Sequence, residues 1–73
     1  MPLIQVSSEL AGTVWSVPIS PGDRVEEDDP LILVESMKME IPILAPSDGT
    51  VKEIRVAKDD LIAAGQIVVV LES

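Results

Sequence analysis

A chain of 73 residues with no cysteine and no histidine is read as one small domain, 1-73, with neither a disulfide staple nor the usual ligands of a structural zinc. Its net charge of −8 and pI near 4.1 repel phosphate backbones and anionic bilayers, which argues against nucleic acid or membrane as a partner. The acidity fits either plain solubility or steering toward basic partner surfaces. No apolar run reaches the length of a membrane span and no basic-then-apolar leader opens the chain, so the expectation is a cytoplasmic location.

A domain this short has little margin from core burial. Abundant Val and Ile, with Trp15 the sole aromatic residue, predict a thin aliphatic layer between two small sheets. Leu3-Ile4-Gln5-Val6 is a short strand, with Pro2 tolerable at its start. Leu10 to Ile19 reads as a longer strand. Trp15, Val17 and Ile19 share one of its faces, Gly12 marks a bulge or close approach, and Pro18 marks an edge. Ser20-Pro21-Gly22-Asp23 is a turn. The acidic run Glu26-Glu27-Asp28-Asp29 lacks the ligand alternation of a calcium loop and reads as a solvated loop. Pro30 to Ser36 and Met39 to Ala45 are strands, followed by a turn at Pro46-Ser47-Asp48-Gly49. Thr50 to Val56 is extended, and Lys58-Asp59-Asp60 is a polar loop before the apolar pair Leu61-Ile62. Ile67-Val68-Val69-Val70-Leu71 is apolar enough to require a central, fully paired position. No stretch reads as a helix.

The chain repeats itself at an offset of 37 residues without a gap. Gly12-Thr13-Val14 returns as Gly49-Thr50-Val51, and Asp23 and Val25 return as Asp60 and Ile62. Leu31-Ile32-Leu33-Val34-Glu35-Ser36 returns as Val68-Val69-Val70-Leu71-Glu72-Ser73. Neither half can bury its own apolar face, so the repeat predicts an all-β flattened barrel-sandwich hybrid of two quasi-two-fold related halves. The first half ends by turning at Met37-Lys38 and the second ends at Ser73, which predicts that Lys38 and the C-terminus lie at opposite poles. Met1 followed by a complete repeat pair fits a free small protein.

Lys38 is the residue that stands out. It sits where two strands meet, between two methionines, at a point where a tight turn ordinarily uses Asn, Asp or Gly. A lysine at a hairpin tip is usually only a surface charge, but two exposed thioethers there do nothing for folding. Glu35-Ser36-Met37-Lys38-Met39-Glu40 resembles the attachment motif of biotin carboxyl carrier domains, with Ser36 where that family usually has Ala. The resemblance runs from about Leu10 to Glu72. It includes Gly22-Asp23 before Val25, and Gly65-Gln66. Lipoyl domains are similar in fold but flank their lysine with Asp before it and Ala or Val after it, so Met-Lys-Met favours biotin.

The resemblance implies a biotinyl/lipoyl-type fold with biotin amide-linked to Lys38. Met37 and Met39 would serve ligase recognition, with Glu35, Ser36 and Glu40 as the motif flank. The implied partners are a biotin protein ligase, a biotin carboxylase and a carboxyltransferase. Carboxyl would pass between the last two and on to an acyl-CoA, as in an acetyl-CoA carboxylase, or to a keto acid. The chain departs from the family at Asp59-Asp60, where Gly-Asp is usual, and at Asp28-Asp29, where Gly-Gln is usual. The thumb loop of some bacterial carriers is absent.

No catalytic set accompanies Lys38. A Schiff-base lysine needs burial or a nearby cation to lower its pKa, whereas Glu35 and Glu40 favour the charged form. Ser36 has no base, and the Glu35/Glu40 pair has no pocket to tune it. The expected role is therefore a non-catalytic carrier. The alternatives are a lipoyl carrier of a 2-oxo acid dehydrogenase or glycine cleavage type system, and an unmodified β interaction module.

Overall fold

The computed structural model describes residues 2–73; Met1, the first residue of the expected domain, lies outside the described residues. Eight strands follow one another: β1 (Leu3–Ser7), β2 (Gly12–Ser16), β3 (Arg24–Val25), β4 (Pro30–Ser36), β5 (Met39–Leu44), β6 (Gly49–Ile54), β7 (Leu61–Ile62) and β8 (Ile67–Glu72). They form two four-stranded antiparallel sheets, ordered β1-β8-β6-β3 and β5-β4-β2-β7. The described residues contain no helix, as the pattern of short alternating runs predicts.

The 37-residue offset maps the first sheet onto the second, strand for strand. It also pairs β1 with β5, an equivalence that the sequence conceals because only Ile4 and Ile41 match. Each sheet takes its two inner strands from one half and its two outer strands from the other. The halves are therefore interwound rather than stacked. Between the sheets lies an aliphatic core that includes Val14, Leu31, Ile32, Val34, Val51, Val68, Val69 and Leu71, all essentially without exposure. The run at β8 is buried and flanked by β1 and β6, as its composition requires.

Four turns of one design join the halves. In Ser20–Asp23, Glu26–Asp29, Ala57–Asp60 and Ala63–Gln66 the fourth amide donates to the first carbonyl, at 3.0–3.1 Å. In each, the fourth side chain (Asp23, Asp29, Asp60 or Gln66) accepts from the first amide at 2.8–3.0 Å. The third residue has positive φ: Gly22 at 95°, Asp28 at 72°, Asp59 at 75° and Gly65 at 87°. The departures at Asp28 and Asp59 thus keep the turn that glycine would make, because Asp is among the few residues that enter the left-handed region at small cost. The acidic run is accordingly more than a solvated loop. Asp29 closes its turn, and the Glu27 amide donates to Asp48 Oδ1 at 2.8 Å.

Two further expectations are corrected. Trp15 does not share the buried face; Val14 is buried and Trp15 is 45% exposed. The cause is a bulge: Val14 faces Val34 but Ser16 faces Leu33, which leaves Trp15 unpaired and turned outward. The same irregularity falls between Val51 and Glu53, at the equivalent Lys52. The strand also ends at Ser16, before Pro18, and is an inner strand rather than an edge. Pro18 occupies the position of Arg55, whose amide donates to the Val68 carbonyl at 2.9 Å, a bond that proline cannot make.

The close-approach reading of Gly12 holds. A Cβ there would lie 2.6 Å from the Glu35 carbonyl oxygen and 2.7 Å from Val34 Cγ1, and one at Gly49 would lie 3.1 Å from the Glu72 carbonyl oxygen. Gly12→Ala should therefore cost about 2 kcal/mol or more, as overpacking against backbone does. Gly49→Ala should cost less. Gly22→Ala has open space around it and should cost only the left-handed penalty, about 1 kcal/mol. Urea midpoints at unchanged slope give this ranking directly.

Candidate functional site

The last pair of the β4–β5 ladder is Ser36 with Met39, so the connecting loop is two residues, Met37 and Lys38. Both have positive φ, 52° and 64°, the conformation of a type I′ hairpin turn. That turn matches the right-handed twist of the strands but suits Asn-Gly. A non-glycine residue pays about 1–2 kcal/mol to enter the left-handed region. Strain of this kind persists only where surrounding structure enforces it, and it gathers at functional positions. Here the enforcement is visible. β4 is held on both sides, by β5 and β2, and the Gly12 backbone lies against the Glu35 carbonyl.

The tip projects its side chains into solvent. Met37 is 92% exposed and Met39 63% exposed, and Lys38 and Glu40 are exposed too. Glu35 and Glu40 face each other across the ladder, an unfavourable like-charge pair on an exposed face. Neither carboxylate lies within ion-pair distance of Lys38; the described residues hold only two salt bridges, Lys52–Glu72 and Arg55–Glu53. The Lys38 ammonium has no hydrogen-bond partner among the described residues. Ser36 is half-buried and pairs through its backbone. All six motif residues are thus brought together at one end, on two strands and a two-residue loop.

Away from the tip, the β1–β8 ladder closes between Pro2 and Ser73. The Ser73 amide donates to the Pro2 carbonyl at 3.1 Å, the counterpart of the Ser36–Met39 closure. From Pro2 the chain runs the length of β1 and only then reaches Gly12 beneath Glu35. Ser73, with Pro2 beside it, and Lys38 therefore occupy opposite poles of a body 36 × 18 × 18 Å, as the repeat predicts for Ser73.

No three His, Cys, Asp or Glu side chains cluster as a metal site among the described residues, and the tip has no enclosing walls. What it offers chemically is one primary amine on an ordered backbone, with adaptable apolar groups beside it. A group attached through that exposed amine would leave no buried polar side-chain atom of the described residues unpartnered. The site therefore fits a tethered prosthetic group.

The model of the family described as "Biotin-requiring enzyme" matches residues 1–71. The chain belongs to the biotin/lipoyl attachment family. It is 38% identical over 68 residues to the biotin/lipoyl attachment protein of Bacillus subtilis, covering 93% of each chain. It is 42% identical over 66 residues to a biotinylated protein TB7.3 homolog of Mycobacterium leprae, covering 90% of this chain and 93% of that one. Among solved structures, the Kluyveromyces lactis urea carboxylase superposes at a TM-score of 0.93 with 32% identity. That match covers 99% of this chain but only 6% of the carboxylase. The flattened all-β barrel-sandwich is thus the family's fold, and the carrier is non-catalytic. Relatives of this kind stand both as small proteins and inside large carboxylases.

The sequence marked every residue of the tip but not the strain in it. Its signal was present, since Met-Lys fills a two-residue loop where turn formers are expected. Met37→Asn should relieve part of that strain and raise unfolding stability by about 0.5–1 kcal/mol. Thermal and urea unfolding of the unmodified protein test this; an unchanged midpoint would place the tip outside the left-handed region.

Proposed function

We propose that this protein is a biotin carboxyl carrier with biotin amide-linked to Lys38 Nζ. The observation that supports this most is the strained two-residue turn that holds an exposed lysine between two exposed methionines. A lysine side chain carries no activating group of its own and is a poor nucleophile unaided. Attachment therefore requires a biotin protein ligase that removes the proton and presents biotinyl-AMP. The Lys38 nitrogen forms the amide bond to the biotin carbonyl carbon, the bond from that carbon to the phosphate oxygen breaks, and AMP leaves with the electron pair. Biotin, once bound, supplies a ureido nitrogen that accepts carboxyl from a biotin carboxylase and gives it up at a carboxyltransferase.

The protein's own contribution is mechanical. The rigid hairpin keeps the arm's root fixed, and its pole lies opposite Pro2 and Ser73, clear of any chain attached there. Linkage to a carboxylase assembly raises the effective concentration of the arm at both of its active sites. Met37 and Met39 are apolar contacts that a ligase can grip, and Glu35, Ser36 and Glu40 frame them. The acceptor belongs to the acyl-CoA or keto acid class, acetyl-CoA included. The cysteine-free composition suits the reducing cytoplasm, where ligase, ATP and bicarbonate are at hand.

Incubation with biotin protein ligase, biotin and ATP should add the mass of one amide-linked biotin, and Lys38→Ala should abolish the addition. Lys52→Ala and Lys58→Ala should leave it intact. Intact mass spectrometry decides. Addition that survives Lys38→Ala, or lipoate accepted by a lipoate ligase in place of biotin, would contradict the reading.

A further inference from the structure

The two halves match in backbone but differ in outward-facing charge, and one such difference lies on the faces beside the two ladder ends. On the outer face of the β1-β8-β6-β3 sheet, Arg24 pairs with Thr50, and Thr50 pairs with Glu72. Lys52, at the bulge, reaches Glu72 Oε2 at 3.8 Å. On the β5-β4-β2-β7 sheet the equivalent row is Leu61, Thr13 and Glu35, with Trp15 at the bulge. Where the first face carries two cations around one glutamate, the second carries two large apolar side chains around Glu35 and a second acid, Glu40, opposite it. Leu61 is 81% exposed and Trp15 45% exposed. The one cation near them is Lys58, which borders a shallow hollow with Trp15, Ser16 and Val17.

Nothing in the fold requires this difference, because the same backbone accepts lysine and arginine at the matching positions. Leaving Leu61 and Trp15 in water forgoes burial, and leaving Glu35 and Glu40 unpaired retains their repulsion. A surface with exposed apolar anchors beside uncompensated charge suits a partner with an apolar depression and cations.

We infer that the outer face of the β5-β4-β2-β7 sheet, centred on Trp15 and Leu61, is the surface on which biotin protein ligase docks. This rests on the carrier reading above and extends it from the hairpin to the body of the domain. Two arguments select the ligase over the carboxylase enzymes. Unmodified Lys38 reaches only one side chain beyond the tip, so the ligase must cover the faces next to the hairpin. The carboxylase enzymes meet a longer arm and need not. The ligase also holds an acyl phosphate anion at its reacting centre, and the cations that bind it complement Glu35 and Glu40. Trp15 and Leu61 are then specificity-determining contacts that touch neither the adenylate nor the amine.

Internal symmetry supplies the control. The double variant W15K/L61R gives this face the residues of its mirror, and R24L/K52W gives the mirror face the residues of this one. W15A/L61A removes the apolar anchors without adding charge. Initial rates of ligase-catalysed biotinylation are read by intact mass against carrier concentration. W15A/L61A and W15K/L61R should raise KM by about tenfold or more with kcat within twofold, the size of an interface anchor's loss. R24L/K52W should leave both constants unchanged. Equal KM values across the set would overturn this inference alone, as would an equal rise in the mirror variant. A wild-type protein that takes no biotin on Lys38 would overturn the carrier reading and this inference with it.

Discussion

Eight backbone hydrogen bonds from four turns join the halves, beside the β1–β8, β3–β6, β4–β5 and β2–β7 ladders that also cross between them. The Ser20–Asp23 turn grips Val51 through Gly22 and Asp23, and the Ala57–Asp60 turn grips Val14 through Asp59 and Asp60, all at 2.7–2.8 Å. The Glu26–Asp29 turn grips Ala45, and the Ala63–Gln66 turn grips Ser8, at 2.7–2.9 Å. Every grip joins one half to the other. Val14, Val51, Ala45 and Ser8 are all buried, so a turn of the wrong shape would strand their amides and carbonyls without water. The positive φ at the third position of each turn is therefore a requirement of the core. Glycine or aspartate stands there in all four turns.

This constraint explains how a 73-residue chain without cysteine supports a strained hairpin. Two halves that share both sheets lose their packing together, which makes the domain cooperative. β4 inherits that cooperativity as an inner strand, and its last residues carry the Met37-Lys38 turn. At the other pole the equivalent β1–β8 ladder closes between Pro2 and Ser73. One architectural unit, used twice, thus yields the Met37-Lys38 turn at one pole and the Pro2–Ser73 closure at the other.

Much of this was legible in the sequence because the offset of 37 residues fixes the symmetry before any strand is placed. The hairpin, the two-fold barrel, the central position of β8 and the close approach at Gly12 all follow from that offset and from residue type. The equivalence of β1 and β5 was hidden, since an edge strand facing solvent on one side tolerates Gln5 where its mate has Pro42. The outward turn of Trp15 was hidden as well. A bulge shifts the alternation by one residue, and no composition rule separates an aromatic residue at a bulge from one in the core. The turn-closing roles of Asp23, Asp29, Asp60 and Gln66 were present as a six-residue spacing within each half. The acidity of the chain masked them as mere solubility.

The account depends most on one physical claim, that the backbone under Lys38 is as rigid as the sheet while its side chain is free. Backbone amide ¹⁵N relaxation of the unmodified protein tests this directly. The account predicts order parameters at Met37 and Lys38 near those of β4 and β5, about 0.85 on the scale of ordered backbone. Values below about 0.6 at those two amides, with the strands still rigid, would mean that the turn is not held and would contradict it.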